Sequence, residues 1–249
     1  MSTVLETRDL CKRFGALTVA ANINFRLESG ARHALIGPNG AGKTTFVNLL
    51  TGLLAPSSGK VILAGEDVTQ LSQSGRVKRG LGRTFQINTL FREMSALDNV
   101  ALGIAERLGL SGRLWRPAGD HRVVREEAMA LLGSLGIADE ASRLVTDLPY
   151  GKQRLVEIAI ALGLKPRVLL LDEPAAGVPS LESERILDAL DSLPKDIAIL
   201  IIEHDMDVVF RFADRITVLV QGEVLCEGTP GEIAKDARVQ SVYLGERRA

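Results

Sequence analysis

The chain has 249 residues, 46% of them hydrophobic and 24% charged, a composition that excludes disordered and fibrous proteins. Its 30 lysines and arginines balance its 31 acidic residues, so the charge does not favour nucleic acid as a partner. No apolar run reaches the ~18 residues of a transmembrane helix, and residues 1–13 lack the apolar core of a signal peptide. The cysteines, Cys11 and Cys226, are too few for a disulfide framework, which suits a reducing cytosol.

The first 94 residues predict a small antiparallel region of short strands. Polar and apolar residues alternate, or form short apolar runs, between glycine-containing turns. One helical segment interrupts them, directly after a glycine-rich loop. The predicted elements are strands over 4–14, 22–27, 32–36 and 59–63, and a helix over 43–51.

From residue 95 to 148 the pattern becomes helical. Apolar residues three to four apart predict helices over 95–108 and 122–135. The stretch between them, 109–120, is rich in Gly, Pro and Arg and predicts an exposed loop. We therefore expect a helical insertion here.

After residue 148, apolar strands alternate with helices, which predicts a parallel sheet covered on both faces. The predicted elements are helices over 152–164, 180–190 and 206–213, strands over 168–171 and 197–202, and a hairpin over 215–220 and 224–226. The sequence thus predicts one α/β core, formed by 1–94 and 149–249, with 95–148 as a helical subdomain. Two independent domains are the disfavoured alternative, because core strands lie on both sides of the insertion.

A phosphate-binding loop follows the strand over Arg32–Ile36. It reads Gly37-Pro38-Asn39-Gly40-Ala41-Gly42-Lys43-Thr44-Thr45 and matches G-x-x-x-x-G-K-[ST]. The glycines let backbone N–H groups turn towards a triphosphate, and the following helix directs its positive dipole end at the same anion. Lys43 is expected to reach the β- and γ-phosphates, Thr44 to bind Mg²⁺, and Thr45 to assist through its N–H and hydroxyl. A chance match is the alternative, which the flanking strand and helix disfavour.

A second motif is the apolar strand over 168–171, which ends in two carboxylates, Asp172 and Glu173. Asp172 is expected to hold Mg²⁺, directly or through water, and Glu173 to orient and polarise the attacking water. The alternative is a helix N-cap beside a surface acid. The presence of the phosphate loop favours the catalytic interpretation.

These motifs resemble the nucleotide-binding subunit of ABC transporters, over essentially the whole chain. The resemblance implies an α/β P-loop ATPase core with an antiparallel β subdomain and a helical subdomain, and ATP and Mg²⁺ as cofactors. It also implies that Gln86 contacts Mg²⁺ or the attacking water and senses the permease. By the same resemblance His204 contacts the γ-phosphate, Phe14 stacks on adenine, and Gly151 lies in the signature that binds the ATP of a second subunit.

Shorter motifs, at 91–95, 149–151, 173–177 and 242–246, resemble the ATPases of branched-chain amino acid importers. That group pairs two different ATPases with two permeases and a substrate-binding protein. The resemblance thus implies an ATPase on the cytoplasmic face of the inner membrane, held there by its permease. The ATPase of lipopolysaccharide export is an alternative that fits the Pro-Tyr-Gly signature less well. A P-loop kinase would not need the later motifs, and a soluble ABC ATPase would usually carry two cassettes or a long coiled coil.

The chain departs from the family's Leu-Ser-Gly-Gly-Gln signature. Pro149 replaces the Ser, Tyr150 the first Gly and Lys152 the Gln, and proline supplies neither a hydroxyl nor an N–H. Pro179 also occupies the position of an Asp that communicates across the dimer. We therefore expect an asymmetric heterodimer, in which this chain holds a competent site and offers its partner a weakened one. The alternatives are a tolerated variant without asymmetry and a homodimer.

Two further features have weaker predictions. The arginine-rich stretch 108–122 contains the single tryptophan, Trp115. It is interpreted either as a contact with the permease or lipid headgroups or, preferably, as a solvated loop. His33 and His121 are expected to be structural or exposed.

Overall fold

A computed structural model describes residues 2–84, 90–110 and 122–246, the side chains of 244–246 excepted. Within these ranges the strands are β1 (Thr3–Phe14), β2 (Leu17–Glu28), β3 (Arg32–Ile36), β4 (Ser58–Leu63), β5 (Glu66–Asp67), β6 (Leu81–Arg83), β7 (Val168–Asp172), β8 (Ala198–Ile202), β9 (Arg215–Val220) and β10 (Glu223–Gly228). The helices are α1 (Lys43–Thr51), α2 (Gln73–Val77), α3 (Ala96–Arg107), α4 (Arg122–Ser134), α5 (Tyr150–Gly163), α6 (Ser180–Asp191), α7 (Met206–Phe212), α8 (Pro230–Lys235) and α9 (Ala237–Glu246).

The strands form two sheets. An antiparallel four-stranded sheet has the order β2-β1-β4-β5, and a six-stranded sheet has the order β10-β9-β3-β8-β7-β6. Within the larger sheet β9, β3, β8, β7 and β6 are parallel, and β10 joins the edge as an antiparallel hairpin with β9. The predicted α/β fold, with a parallel sheet and a separate antiparallel region, is confirmed. The exception is β3, which was predicted in the antiparallel region but lies between β9 and β8 in the parallel sheet.

The parallel sheet is covered on both faces, which explains its unbroken apolar strands. Leu170 of β7 and Leu200 of β8 belong to a buried cluster shared with α1 and the antiparallel sheet. Their neighbours Leu169 and Ile199 belong to a second cluster, shared with helices α3, α4, α5 and α6. Successive residues of a strand point to opposite faces, so each strand contributes to both clusters.

Three of the parallel strands place candidate site residues at one edge of the sheet. β3 ends where the glycine-rich loop begins, β7 ends at Asp172, and β8 is followed by Glu203 and His204. Parallel strands direct their carboxyl ends to the same edge, where ligands bind in open α/β sheets. A hydrogen bond from the Glu203 N–H to the Leu35 carbonyl (3.3 Å) ties the last of these loops to β3.

Most predicted elements lie within a few residues of the observed ones, with two informative differences. The helix predicted from residue 152 begins at Tyr150, because Pro149 holds an extended conformation immediately before the first turn. The second strand begins at Leu17 rather than at residue 22. Five observed elements were not predicted from the sequence: β5, β6, α2, α8 and α9. β5 and β6 are only two and three residues long, too short to show periodicity.

The structure describes only some of the residues named in the sequence predictions. His33 is buried, and its Nε2 lies 2.8 Å from the hydroxyl of Thr217, so it is structural rather than exposed. Gln86, Trp115 and His121 lie outside the described residues. Among the residues that the structure does describe, no helix is both long and apolar enough to cross a membrane.

Candidate nucleotide-binding site

The glycine-rich loop connects β3 to α1, and its backbone adopts conformations that residues with a side chain rarely adopt. Gly37 and Gly42 have φ values of 156° and 98°, and Gly40 has a φ of 76°. A Cβ on Gly37 would lie 2.1 Å from the Leu219 carbonyl oxygen, and one on Gly42 would lie 2.9 Å from that of Val19. The loop is therefore closely packed behind Gly37 and Gly42, which are required by space as well as by conformation, whereas Gly40 is favoured by its conformation alone.

The start of α1 is suited to an anion. Its N-cap is Gly42, no side chain caps it, and its first turn contains no acidic residue. The first N–H groups of a helix have no partner within the helix, and the helix dipole adds positive potential at this end. Thr44 is exposed and Thr45 half-buried in this turn.

Lys43 lies across the loop. Its ammonium donates to the carbonyl oxygens of Gly37 (2.5 Å) and Pro38 (3.1 Å). A phosphate in the loop would compete for the same ammonium, because a charged acceptor forms the stronger hydrogen bond. Lys43 thus lies within the loop, and its contact with phosphate oxygens stays a prediction.

Glu173 and His204 meet at the ends of β7 and β8. His204 Nδ1 lies 3.2 Å from Glu173 Oε1, and the Glu173 N–H donates to the Ile202 carbonyl (2.9 Å). Glu173 has a φ of 47°, in the left-handed region that residues other than glycine rarely adopt. Strained backbone of this kind concentrates at functional sites. The structure therefore brings together two of the residues predicted to act on the γ-phosphate and the water.

Glu203 is a buried acid behind this pair, and the sequence analysis did not single it out. Its carboxylate accepts the N–H groups of His204 (3.2 Å) and Ala175 (3.5 Å), so it joins the loops after β8 and β7. Burial raises the pKa of Glu203, and these N–H groups act in the opposite direction. No sequence signal distinguished this acid from an ordinary residue beside His204.

Asp172 is paired with an arginine that the sequence analysis also missed. Arg83, the last residue of β6, donates from Nη2 to Asp172 Oδ2 (3.1 Å) and from Nη1 to Asn48 Oδ1 (3.0 Å). Asn48 lies on α1, one turn beyond Thr44. The contact joins residues 89 positions apart in the chain, a separation at which local pattern carries no information.

Phe14 is 52% exposed at the end of β1, as expected of a ring kept available for a ligand. The Lys12 ammonium lies over it, 5.0 Å from the ring centroid, and donates to the Ala55 carbonyl (2.8 Å). The β1–β2 hairpin that carries Phe14 packs beside the glycine-rich loop, since Val19 of β2 lies behind Gly42.

The residues expected to contact a second subunit form hydrogen bonds and an ion pair with other residues of this chain. The Gly151 N–H donates to Glu182 Oε2 (3.2 Å), and the Lys152 ammonium pairs with Glu140. Tyr150 is tied to its own helix, because its hydroxyl accepts from Arg154 Nη2 (2.7 Å).

The available oxygen donors fit Mg²⁺. In the described part of the chain no group of three or more His, Cys, Asp or Glu side chains could hold a metal. Mg²⁺ does not need such a group, because it commonly takes one or two protein oxygens together with phosphate oxygens and water. The Thr44 hydroxyl and the Asp172 carboxylate are hard oxygen donors of this type.

Comparison with known proteins decides the family. The family model described as "ABC transporter" matches residues 20–176, and a second, "Branched-chain amino acid ATP-binding cassette transporter", matches residues 223–249. The chain belongs to the ABC transporter family. It is one of that family's ATP-binding subunits, and as such it is an ATPase.

Relatives of this ATP-binding subunit match it over nearly its full length. The chain is 37% identical to the high-affinity branched-chain amino acid transport ATP-binding protein BraF of Pseudomonas aeruginosa, over 98% of each protein. The similarity confirms the predicted family group and favours it over the lipopolysaccharide-export and non-transport alternatives.

Two solved structures support the fold. The ADP conformation of an ATP-binding cassette of an ABC transporter superposes with a TM-score of 0.87 at 29% identity, covering 98% of this chain and all of that one. A dimeric cassette in a post-hydrolysis state, bound to ADP and Pi, superposes with a TM-score of 0.75 at 25% identity, covering 91% and 98%. ABC ATPases thus bind ATP or ADP and dimerise, and they pair with permease subunits.

Proposed function

We propose that this ATP-binding subunit hydrolyses MgATP to drive the import of branched-chain amino acids or similar small polar solutes. The observation that carries the proposal is the contact between Glu173 and His204, 3.2 Å apart, at the sheet edge that also bears the glycine-rich loop. The full-length similarity to BraF supports the transported class.

In this proposal Phe14 stacks on adenine, and residues 37–45 surround the phosphates. Thr44, Asp172 and Gln86 hold Mg²⁺, which when bound neutralises charge on the β- and γ-phosphates. The exposed ring, the uncapped start of α1 and the two oxygen donors support these roles. Gln86 is assigned from the resemblance alone.

Hydrolysis in this account depends on Glu173. Its carboxylate orients the attacking water and accepts a proton from it, while His204 hydrogen-bonds the γ-phosphate and the carboxylate. Lys43 exchanges its two loop carbonyl acceptors for phosphate oxygens. The ammonium then stabilises the negative charge of the transferred group.

We also propose that the site is completed across a dimer with a second, different ATPase, and that Gly151 faces that partner's nucleotide. Residues 95–148 act as a helical subdomain that transmits closure to the permease. The assembly lies on the cytoplasmic face of the inner membrane, and the substrate-binding protein acts indirectly, through the permease. Pro149 and Pro179 support an asymmetric pair, because neither offers the hydrogen-bonding group usual at its position.

Coexpression with the transporter's permeases and second ATPase tests this function. We expect the chain to copurify with them in the membrane fraction, and the binding protein loaded with leucine to stimulate ATP turnover of the assembly. A binding protein that stimulates only with another solute would overturn the substrate class. Failure to copurify with any permease would overturn the transport role.

A further inference from the structure

We propose that Arg83 is a positioning residue for the metal-binding side of the site. Its guanidinium would fix Asp172 and helix α1 relative to each other, and so set how Asp172 and Thr44 face the cation. The proposal rests on the proposed roles of Thr44 and Asp172.

The guanidinium bridges two elements that otherwise approach the site separately. Nη2 donates to Asp172 Oδ2 (3.1 Å) at the end of β7, and Nη1 donates to Asn48 Oδ1 (3.0 Å) on α1. A guanidinium presents its donors in a rigid plane, so two such bonds fix an orientation as well as a distance.

The bridge is largely removed from water. The side chains of Arg83 and Asp172 are 10% and 12% exposed. Charged hydrogen bonds strengthen where solvent is excluded, whereas exposed ion pairs contribute little. The pair is therefore suited to hold a geometry that a surface pair could not.

Both acceptors belong to elements that carry a proposed metal donor, because Asp172 is itself one donor and Asn48 shares α1 with Thr44. Arg83 engages Oδ2 of Asp172, and Oδ1 is the carboxylate oxygen left for the cation. Asn48 lies four residues after Thr44 on α1, so both project from the same face of the helix. Fixing Asn48 therefore also fixes the turn that carries the Thr44 hydroxyl.

Position alone does not explain an arginine here. β6 is a three-residue edge strand whose pairing with β7 uses only the backbone, so any strand-forming residue would satisfy it. The charge also acts against Mg²⁺, since two cations near one carboxylate repel each other. In this proposal, Arg83 strengthens Mg²⁺ binding by orienting Asp172, and this effect outweighs the repulsion between the two cations.

The test compares Arg83→Gln and Arg83→Lys with the control Arg79→Gln. Arg79 likewise pairs with one carboxylate, that of Glu66 (2.7 Å), but at the surface and with 38% of its side chain exposed. ADP binding is measured by calorimetry with EDTA and with excess Mg²⁺. The Mg²⁺ concentration that gives half-maximal ATP turnover and the melting temperature are measured in parallel.

In EDTA, we expect Arg83→Gln to bind ADP with an affinity within about twofold of that of the unmodified chain. The factor by which Mg²⁺ increases the ADP affinity should be about tenfold smaller in Arg83→Gln, as for residues that orient metal ligands. The half-maximal Mg²⁺ concentration should rise by about the same factor. Arg83→Lys should be intermediate, and Arg79→Gln should be unchanged.

Three results would overturn the proposal. Equal losses in EDTA and in Mg²⁺ would show a purely structural role, and a lowered Mg²⁺ requirement would show that charge repulsion dominates. No change in ADP binding, either in EDTA or in Mg²⁺, would also remove the positioning role but leave the proposed function intact. If the unmodified chain gains nothing from Mg²⁺, the proposed metal roles of Thr44 and Asp172 fail as well.

Discussion

The Glu182 carboxylate accepts a hydrogen bond from the Gly151 N–H (3.2 Å), at the start of the helix that follows the signature residues. The contact is tight, since a Cβ on Gly151 would lie 2.4 Å from Glu182 Oε2. In the proposed dimer this N–H faces the partner's phosphate, so Glu182 occupies the position of an anion. Closure around ATP must therefore displace it.

Replacing Glu182 should make ATP-induced dimerisation easier. Removing the carboxylate frees the N–H and removes repulsion of phosphate, an effect of about 1.5 kcal/mol or roughly tenfold in ATP concentration. Analytical sedimentation measures the ATP concentration needed for dimerisation of Glu182→Ala in a Glu173→Gln background. The control is Glu184→Ala, a substitution of an exposed residue, in the same background. A higher ATP requirement for Glu182→Ala would contradict this interpretation.

The Phe14 ring should contribute to binding of the base and not of the phosphates. Phe14→Ala is expected to weaken ATP binding by roughly tenfold, as a base stacked on an aromatic ring contributes about 1–3 kcal/mol. Binding of inorganic tripolyphosphate should stay the same. The control is Leu17→Ala in the same hairpin, where the side chain is 64% exposed. Equal weakening of both ligands would argue against stacking.

The two nucleotide sites of the proposed heterodimer should be unequal. Pro149 removes one hydrogen bond to a charged acceptor, about 1.5–3 kcal/mol, so the partner's site should turn over roughly 10–100-fold more slowly. Pro149→Ser should raise turnover at that site, measured in an assembly whose own Glu173 is changed to Gln. Unchanged turnover would favour the tolerated-variant interpretation.

His33 gives the stability of the chain a defined pH dependence. Burial lowers its pKa from 6.5 to about 4, and the nearby Glu227 and Arg215 have smaller, opposing effects. Between these pH values the unfolded chain binds a proton that the folded chain does not. Stability should therefore fall as the pH decreases from 6.5 towards 4, by up to about 3 kcal/mol.

Chemical denaturation of the unmodified chain and of His33→Gln across this range isolates the effect. Because glutamine does not titrate, the advantage of histidine over glutamine should shrink as the pH decreases. A difference that does not vary with pH would show that His33 titrates normally in the folded chain.

The parts of the site formed by residues adjacent in the sequence could be predicted from the sequence. The bounds of β3 and α1 match the prediction, because an apolar run, a glycine loop and a helix follow one another directly. The start of helix α8 also has a local signal, since Thr229 and Glu232 form a capping box.

Contacts between distant residues could not be predicted in this way. Arg83 reaches Asp172, and Glu182 reaches Gly151, across 89 and 31 positions. Hydrophobic periodicity indicates which face of an element is buried, but not where a long charged side chain ends. These contacts became visible only when strand order placed β6 beside β7, and packing placed α6 against α5.

The most direct test of the account is the effect of Glu173→Gln in purified transporter reconstituted in vesicles. Glutamine keeps the shape of the side chain but cannot accept a proton, so ATP turnover of the assembly should fall roughly 10–100-fold, to the residual rate of the slower partner site. Nucleotide affinity should be preserved, and ATP-driven uptake of leucine should be lost, whereas Glu184→Gln should leave both activities unchanged. Leucine uptake at the unmodified rate in Glu173→Gln would contradict the account.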